Sequence, residues 1–199
     1  MKEKFEAEYA AAVIDSVFQV TEDDNLPQQD ESKLGLVKDA CDASIIVGQI
    51  RILSSELVCS GSNGAPPYVI ILSKWSDEQF LVAHFSPFSV PATETEMITG
   101  LNCIGLRVLQ AWNIRNIPAC LLKKSWLVKN ADEEFLERSK ALCHSVFTGD
   151  TLPDGFPSEK LGDRITEPNK LIEKYQKSEI ERYQPLSDMI HSWVAGEEF

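Results

Sequence analysis

His84 and Ser86 stand two positions apart in LVAHFSPFSVPATETEM, residues 81–97, where an apolar run breaks at Pro87 and Pro91. Side chains alternate between the faces of a strand, so Phe80, Val82, His84 and Ser86 share one face and Leu81, Ala83 and Phe85 the other. An imidazole that titrates near neutral pH beside a hydroxyl, where a strand opens into a loop, is a candidate acid or base paired with a nucleophile. The same spacing also suits a histidine hydrogen-bonded at a strand end. That second reading is preferred, because such histidines are common without catalysis.

Other residues suggest a binding surface. Arg51, Arg107, Arg115, Lys123 and Lys124, with Trp112 and Trp126 as stacking platforms, could form a nucleic-acid patch. A solvated face with tryptophans in the core accounts for the same residues and is preferred. His144 lies beside a helical apolar stripe and reads as structural, and His191 lies in an acidic tail. No Gly-rich phosphate loop, nucleophile elbow or metal-ligand cluster occurs, so neither cofactor nor metal is expected. The five cysteines, Cys41, Cys59, Cys103, Cys120 and Cys143, are odd in number and include no C-x-x-C pair. They read as small buried apolar residues rather than a disulfide framework or a zinc site.

The elements that must position these residues change character along the chain. Residues 3–20 place Phe5, Tyr9, Val13, Val17 and then Ile14, Phe18 at helical spacing. A polar linker, TEDDNLPQQD, and a short helix over residues 32–41 follow. From Gly48 the period becomes two: residues 48–60, 68–75, 79–85, 107–112 and 119–128 read as short strands, the second and third joined by the hairpin turn SDE. Helix returns over residues 130–149, with Asn130 as N-cap, Glu133 completing a capping box, a buried stripe that includes Phe135, Leu142, Val146 and Phe147, and Gly149 as terminator. After a Pro- and Gly-bearing loop, a charged helical tail runs over residues 169–194, interrupted at Pro185.

At 199 residues, with 43% hydrophobic and 25% charged residues, the chain has the balance of one globular domain with appendages. Its start lacks the apolar core and cleavage site of a secretory signal, and no stretch has the roughly 20 apolar residues of a membrane span, so a cytoplasmic protein without membrane contact is expected. The net charge of −12 is unevenly spread. Residues 1–47 carry four basic and eleven acidic side chains (−7), residues 48–130 seven and five (+2), and residues 131–199 eight and fifteen (−7). An acidic chain is a poor generic nucleic-acid binder, which leaves RNA binding possible but weak.

Glycine followed by IRIL, a loop, YVIILS, a short turn, LVAHFS, and strands leading into a DEE-type helix together resemble the PemK/MazF-like family over residues 48–148. The resemblance implies an α+β fold, a small SH3-like antiparallel β-barrel flanked here by N- and C-terminal helices in residues 1–47 and 149–199. The family includes endoribonuclease toxins that use an Arg from an R-P pair and a later Thr or Ser. Matched onto this chain, Pro67 and Tyr68 stand where the Arg-Pro pair would be, His84 stands at the family's Pro, and Ser86 at its Thr or Ser. Without that Arg, a hydroxyl has no group to stabilise charge developing on phosphate.

The expectation is therefore a non-enzymatic regulatory or interaction protein with a protein partner or a second copy of itself. Its two acidic flanks would cover the barrel's groove through Phe5, Tyr9, Val13, Phe18, Tyr175 and Tyr183. The alternative is a divergent endoribonuclease using Ser86 and His84, with an arginine recruited from Arg51 or Arg107.

Overall fold

The computed structural model describes residues 1–19, 44–59, 67–101 and 103–196, with the backbone alone at residues 2, 12–19 and 104. The expected polar linker and the helix over residues 32–41 fall outside them. Helix α1 (Lys2–Gln19) is followed by β1 (Gln49–Ile52), β2 (Tyr68–Lys74), β3 (Gln79–Ser86), β4 (Glu96–Ile98), β5 (Val108–Pro118), α2 (Ala119–Leu122), β6 (Trp126–Asn130), α3 (Glu133–Thr148), α4 (Lys170–Arg182) and α5 (Gln184–Ala195). The class is α+β.

The strands form one antiparallel sheet in the order β4-β5-β3-β2-β1-β6. Its hydrogen-bonded order leaves β4 and β6 as edges among the described residues, so the sheet is open where a closed barrel was expected.

Both faces of this sheet are covered, which explains why YVIIL is apolar throughout instead of alternating with polar residues. Tyr68, Ile70 and Leu72 of β2, with Ala83 and Phe85 of β3, point to the side where Phe135, Leu142 and Cys143 of α3 pack. Val69 and Ile71, with Phe80 and Val82, point to the opposite side and meet Tyr183 and Leu186 at the α4–α5 joint. A third apolar cluster joins Phe5 and Tyr9 of α1 to Phe88, Val90, Ile172 and Tyr175. The expected alternation along β3 is therefore present, with the α4–α5 joint against its His84 face and α1 packed on α4 and the loop after β3.

Several expectations change in detail, and the strand expected over residues 48–60 ends at Ile52, before a 3-10 turn at Ser55–Leu57. The run 119–128 is split, since Pro118 opens the short helix α2, which buries Leu121 and Leu122, and only Trp126 onward is strand. Its apolar texture suits either structure, because a run this short has no decisive period. The N-cap of α3 is Asp132, whose carboxylate accepts from the Phe135 N–H at 2.7 Å, because Asn130 is still paired with Gln49 at the end of β6. Gly149 ends the helix in the left-handed conformation (φ 78°), but Phe147 lies 80% exposed instead of in the buried stripe. Of the cysteines, Cys143 is buried and Cys103 half-buried, whereas Cys59 and Cys120 are exposed thiols. Asn169 caps α4 through its side-chain oxygen, and Pro185 sits in the first turn of α5, where its missing N–H costs no helical bond.

Candidate functional site

Ser86 is the last residue of β3 and His84 lies two positions before it; neither has any solvent exposure. The tail that follows them in sequence by about a hundred residues is what closes them in. The ring of Tyr183, at the joint of α4 and α5, lies 4.0 Å from the His84 imidazole between centroids. Tyr175, two turns back on α4, is likewise buried, and Ser86 is among the groups that act on its hydroxyl. Ser86 Oγ also accepts from the Phe88 N–H at 3.3 Å, fixing the start of the loop.

The pairing of β3 with β5 jumps at this point, from Ala83 opposite Ile114 to His84 opposite Gln110. Residues 111–113 are thus looped out of the ladder, a bulge that turns Trp112 and Asn113 toward the covering helices.

Neither nitrogen of His84 has a hydrogen-bond partner among the described residues. Burial first, and then the guanidinium groups of Arg115 and Arg182, hold its pKa well below the usual 6.5, so the ring is neutral. A histidine with no orienting partner and no path to solvent is a poor acid or base for an external substrate.

The densest polar chemistry lies beside this pair, on Glu96 of β4, a residue that carries no signal in the sequence. Glu96 is 1% exposed. Its carboxylate accepts from the Ala92 N–H at 2.6 Å, from Trp112 Nε1 at 2.8 Å and from the Tyr175 hydroxyl at 3.0 Å. Gln110 Nε2 donates both to Tyr175 Oη at 2.7 Å and to Glu179 at 3.2 Å, while its own oxygen accepts from Asn113 Nδ2 at 3.1 Å. The network ties β4 and β5 to α4. The neighbouring loop is tied to α1, whose Glu8 carboxylate accepts from Ser89 N–H at 2.8 Å, and Glu6 of the same helix accepts from Asn169 Nδ2 at 3.0 Å.

Desolvation pushes the Glu96 pKa up from 4.5 to about 7, against the lowering effect of its three donors, and the nearby Glu179 adds to the rise. The folded chain therefore holds a proton that the unfolded chain gives up, so this group's favourable contribution is complete below pH 4.5 and is lost as pH rises through about 7. The loss should reach about 3 kcal/mol. Glu96→Gln cannot ionise. Urea unfolding from pH 4.5 to 8 should show the wild type losing that stability relative to the variant, whereas parallel profiles would contradict the assignment.

The residues weighed as a basic patch do not all lie on the surface. Arg51 is fully buried, donating from Nε to Ser125 Oγ at 2.7 Å, from Nη1 to Gln49 at 2.8 Å and from Nη2 to the Ser125 carbonyl at 2.9 Å. It braces β1 against the α2–β6 turn. Trp112 points inward to Glu96, and Arg115 is half-buried with its guanidinium 5.8 Å from the Tyr183 ring centroid. Arg107, Lys123 and Lys124 are exposed, and Lys124 pairs with Glu56 at 3.3 Å. His144 is exposed beside Asp150, at 3.3 Å.

Among the described residues no group of three or more His, Cys, Asp or Glu could hold a metal ion. A cavity of about 100 Å³ opens at the start of α4, lined by residues that include Ala92, Asp163, Arg164, Thr166 and Asn169, and its lining includes neither His84 nor Ser86. That is well below the roughly 300 Å³ of a small-molecule site. No helix among the described residues is long and apolar enough to cross a membrane.

No family model matches the chain, and neither the curated proteins nor the solved structures contain a detectable relative.

Proposed function

We propose that this is a non-enzymatic regulatory or protein-interaction protein, built on a PemK-like sheet whose nucleic-acid face has been closed by its own flanks. The observation that carries the reading is the complete burial of His84 and Ser86 beneath Tyr183 and Tyr175. A substrate phosphate would have to displace two aromatic side chains that belong to the folded core. Of the two arginines considered for recruitment, Arg51 is consumed in bracing β1, and Arg107, next to the Ser86 ladder partner Val108, is exposed.

The partner is a protein or a second copy of this chain. Trp75, 68% exposed at the β2–β3 turn, and Phe147, 80% exposed at the end of α3, are the large exposed aromatic anchors among the described residues. Sedimentation of the purified chain at rising concentration tests the second-copy form. A monomer–dimer shift that weakens with Trp75→Ser or Phe147→Ser would support it. A monomer throughout would leave a different protein as partner, to be sought by crosslinking from Trp75 and Phe147.

Arg115 favours a second reading. It lies on β5 opposite Val82, near His84, and could serve an endoribonuclease based on Ser86 and His84 if the covering helices moved. Toxicity on expression that disappears in both His84→Ala and Ser86→Ala would favour this reading over the first.

A further inference from the structure

We propose that His84 is an acid-sensing latch beneath the α4–α5 joint, whose protonation releases these helices from the sheet. The joint is a single residue. Tyr183 is at once the C-cap of α4 and the residue before α5, and its fully buried ring lies directly on the imidazole.

The surroundings of His84 suit a neutral ring and nothing else. From the joint it is faced by Tyr183 and Arg182, and from β5 by Arg115 and the uncharged Gln110; its partner on β2 is Val69. Both guanidinium groups lie near the face of Tyr183, at 5.8 and 5.6 Å from the ring centroid. The carboxylate of Glu179 acts on Arg182 and Tyr183. An imidazolium formed here would have two N–H donors without an acceptor among the described residues, facing two positive charges. Lifting the joint exposes the ring to water and removes that conflict, so proton uptake and opening are linked.

The sign follows from the lowered pKa. A ring that resists protonation when covered and accepts it at the ordinary 6.5 when uncovered favours the closed form fully above pH 6.5, and progressively less below it. Each pH unit below that point should raise the opening constant about tenfold, until the covered ring itself titrates. Glu96 works in the opposite sense over part of this range, so the wild type alone can show a flat profile. The ratio of wild type to a variant that lacks only the histidine isolates the latch.

Hydrogen exchange of the full chain from pH 7.5 to 5.5, corrected for intrinsic rates, is compared with His84→Phe, which keeps a ring against Tyr183. The expected result is that exchange over residues 170–195, relative to the variant, accelerates about tenfold across that range, while residues 135–146 of α3 do not change. His84→Gln should behave as His84→Phe. A ratio that stays constant with pH overturns the latch. If neither variant folds, exchange of Glu96→Gln, which lacks the opposing titration, decides: acid acceleration confined to residues 170–195 supports the latch, and acceleration shared equally with α3, or none, overturns it.

Discussion

Tyr175→Ala should be among the most damaging single changes in this chain, lowering the unfolding free energy by about 5 kcal/mol and Tm by about 15 °C. The ring is 1% exposed and touches four other aromatic side chains: Phe5 at 4.9 Å, Phe88 at 5.5 Å, Tyr9 at 5.6 Å and Trp112 at 6.2 Å between centroids. Truncation to alanine opens a cavity at the meeting point of α1, α4 and the loop after β3. It also removes a donor from Glu96 and an acceptor from Gln110, leaving buried polar groups short of partners. Tyr175→Phe separates the two contributions, since it keeps the ring and should cost about 1–2 kcal/mol for the hydroxyl alone. Chemical denaturation of both variants checks the ordering. Equal losses would mean that the network, and not the packing, holds α4 down.

Removing residues 1–19 should cost nearly as much, about 4–5 kcal/mol, since it takes away the burial of Phe5 (0% exposed) and Tyr9 (4% exposed). It also uncovers Phe88, Val90 and Tyr175, an aromatic surface large enough to promote association. Light scattering and thermal melts of the shortened chain should show aggregation and a lowered midpoint. An unchanged midpoint would make α1 an appendage without structural weight.

The sequence carried the parts of this architecture that rest on strong periodicity. The helices α1, α3 and α4–α5, the hairpin of β2 and β3, and the division of β3 into a His84 face and a Phe85 face all follow from spacing, because burial on one stripe or one face demands it. The burial of Phe5, Tyr9, Tyr175 and Tyr183 was also legible, as aromatic residues set among acidic segments, while the side chains of Val13 and Phe18, read with them, lie outside the described ones. Strand β4 was hidden: its three residues, Glu96–Ile98, have no pattern of their own and are strand only because β5 pairs with them.

The same limit applies to the chemistry. Glu96 and Glu179 look like surface acids in a chain of net charge −12, and only folding puts them at 1% and 2% exposure around Gln110 and Tyr175. Gln110, a polar residue between Leu109 and Ala111 and on the same sheet face as His84, was the one available hint. Arg51 misled for the opposite reason. In QIRI it alternates as an outward-facing cation should, yet its strand neighbour Gln49 and, from distant sequence, the Ser125 hydroxyl and carbonyl supply a polar socket.

The central claim is that His84 and Ser86 belong to the interior and not to a working active site. Incubating the folded full chain with a long single-stranded RNA of mixed sequence, and resolving the products at single-nucleotide length, tests it most directly. The account predicts an intact RNA, indistinguishable from the same reaction with Ser86→Ala. Cleavage at defined positions that disappears in a folded Ser86→Ala variant would contradict it.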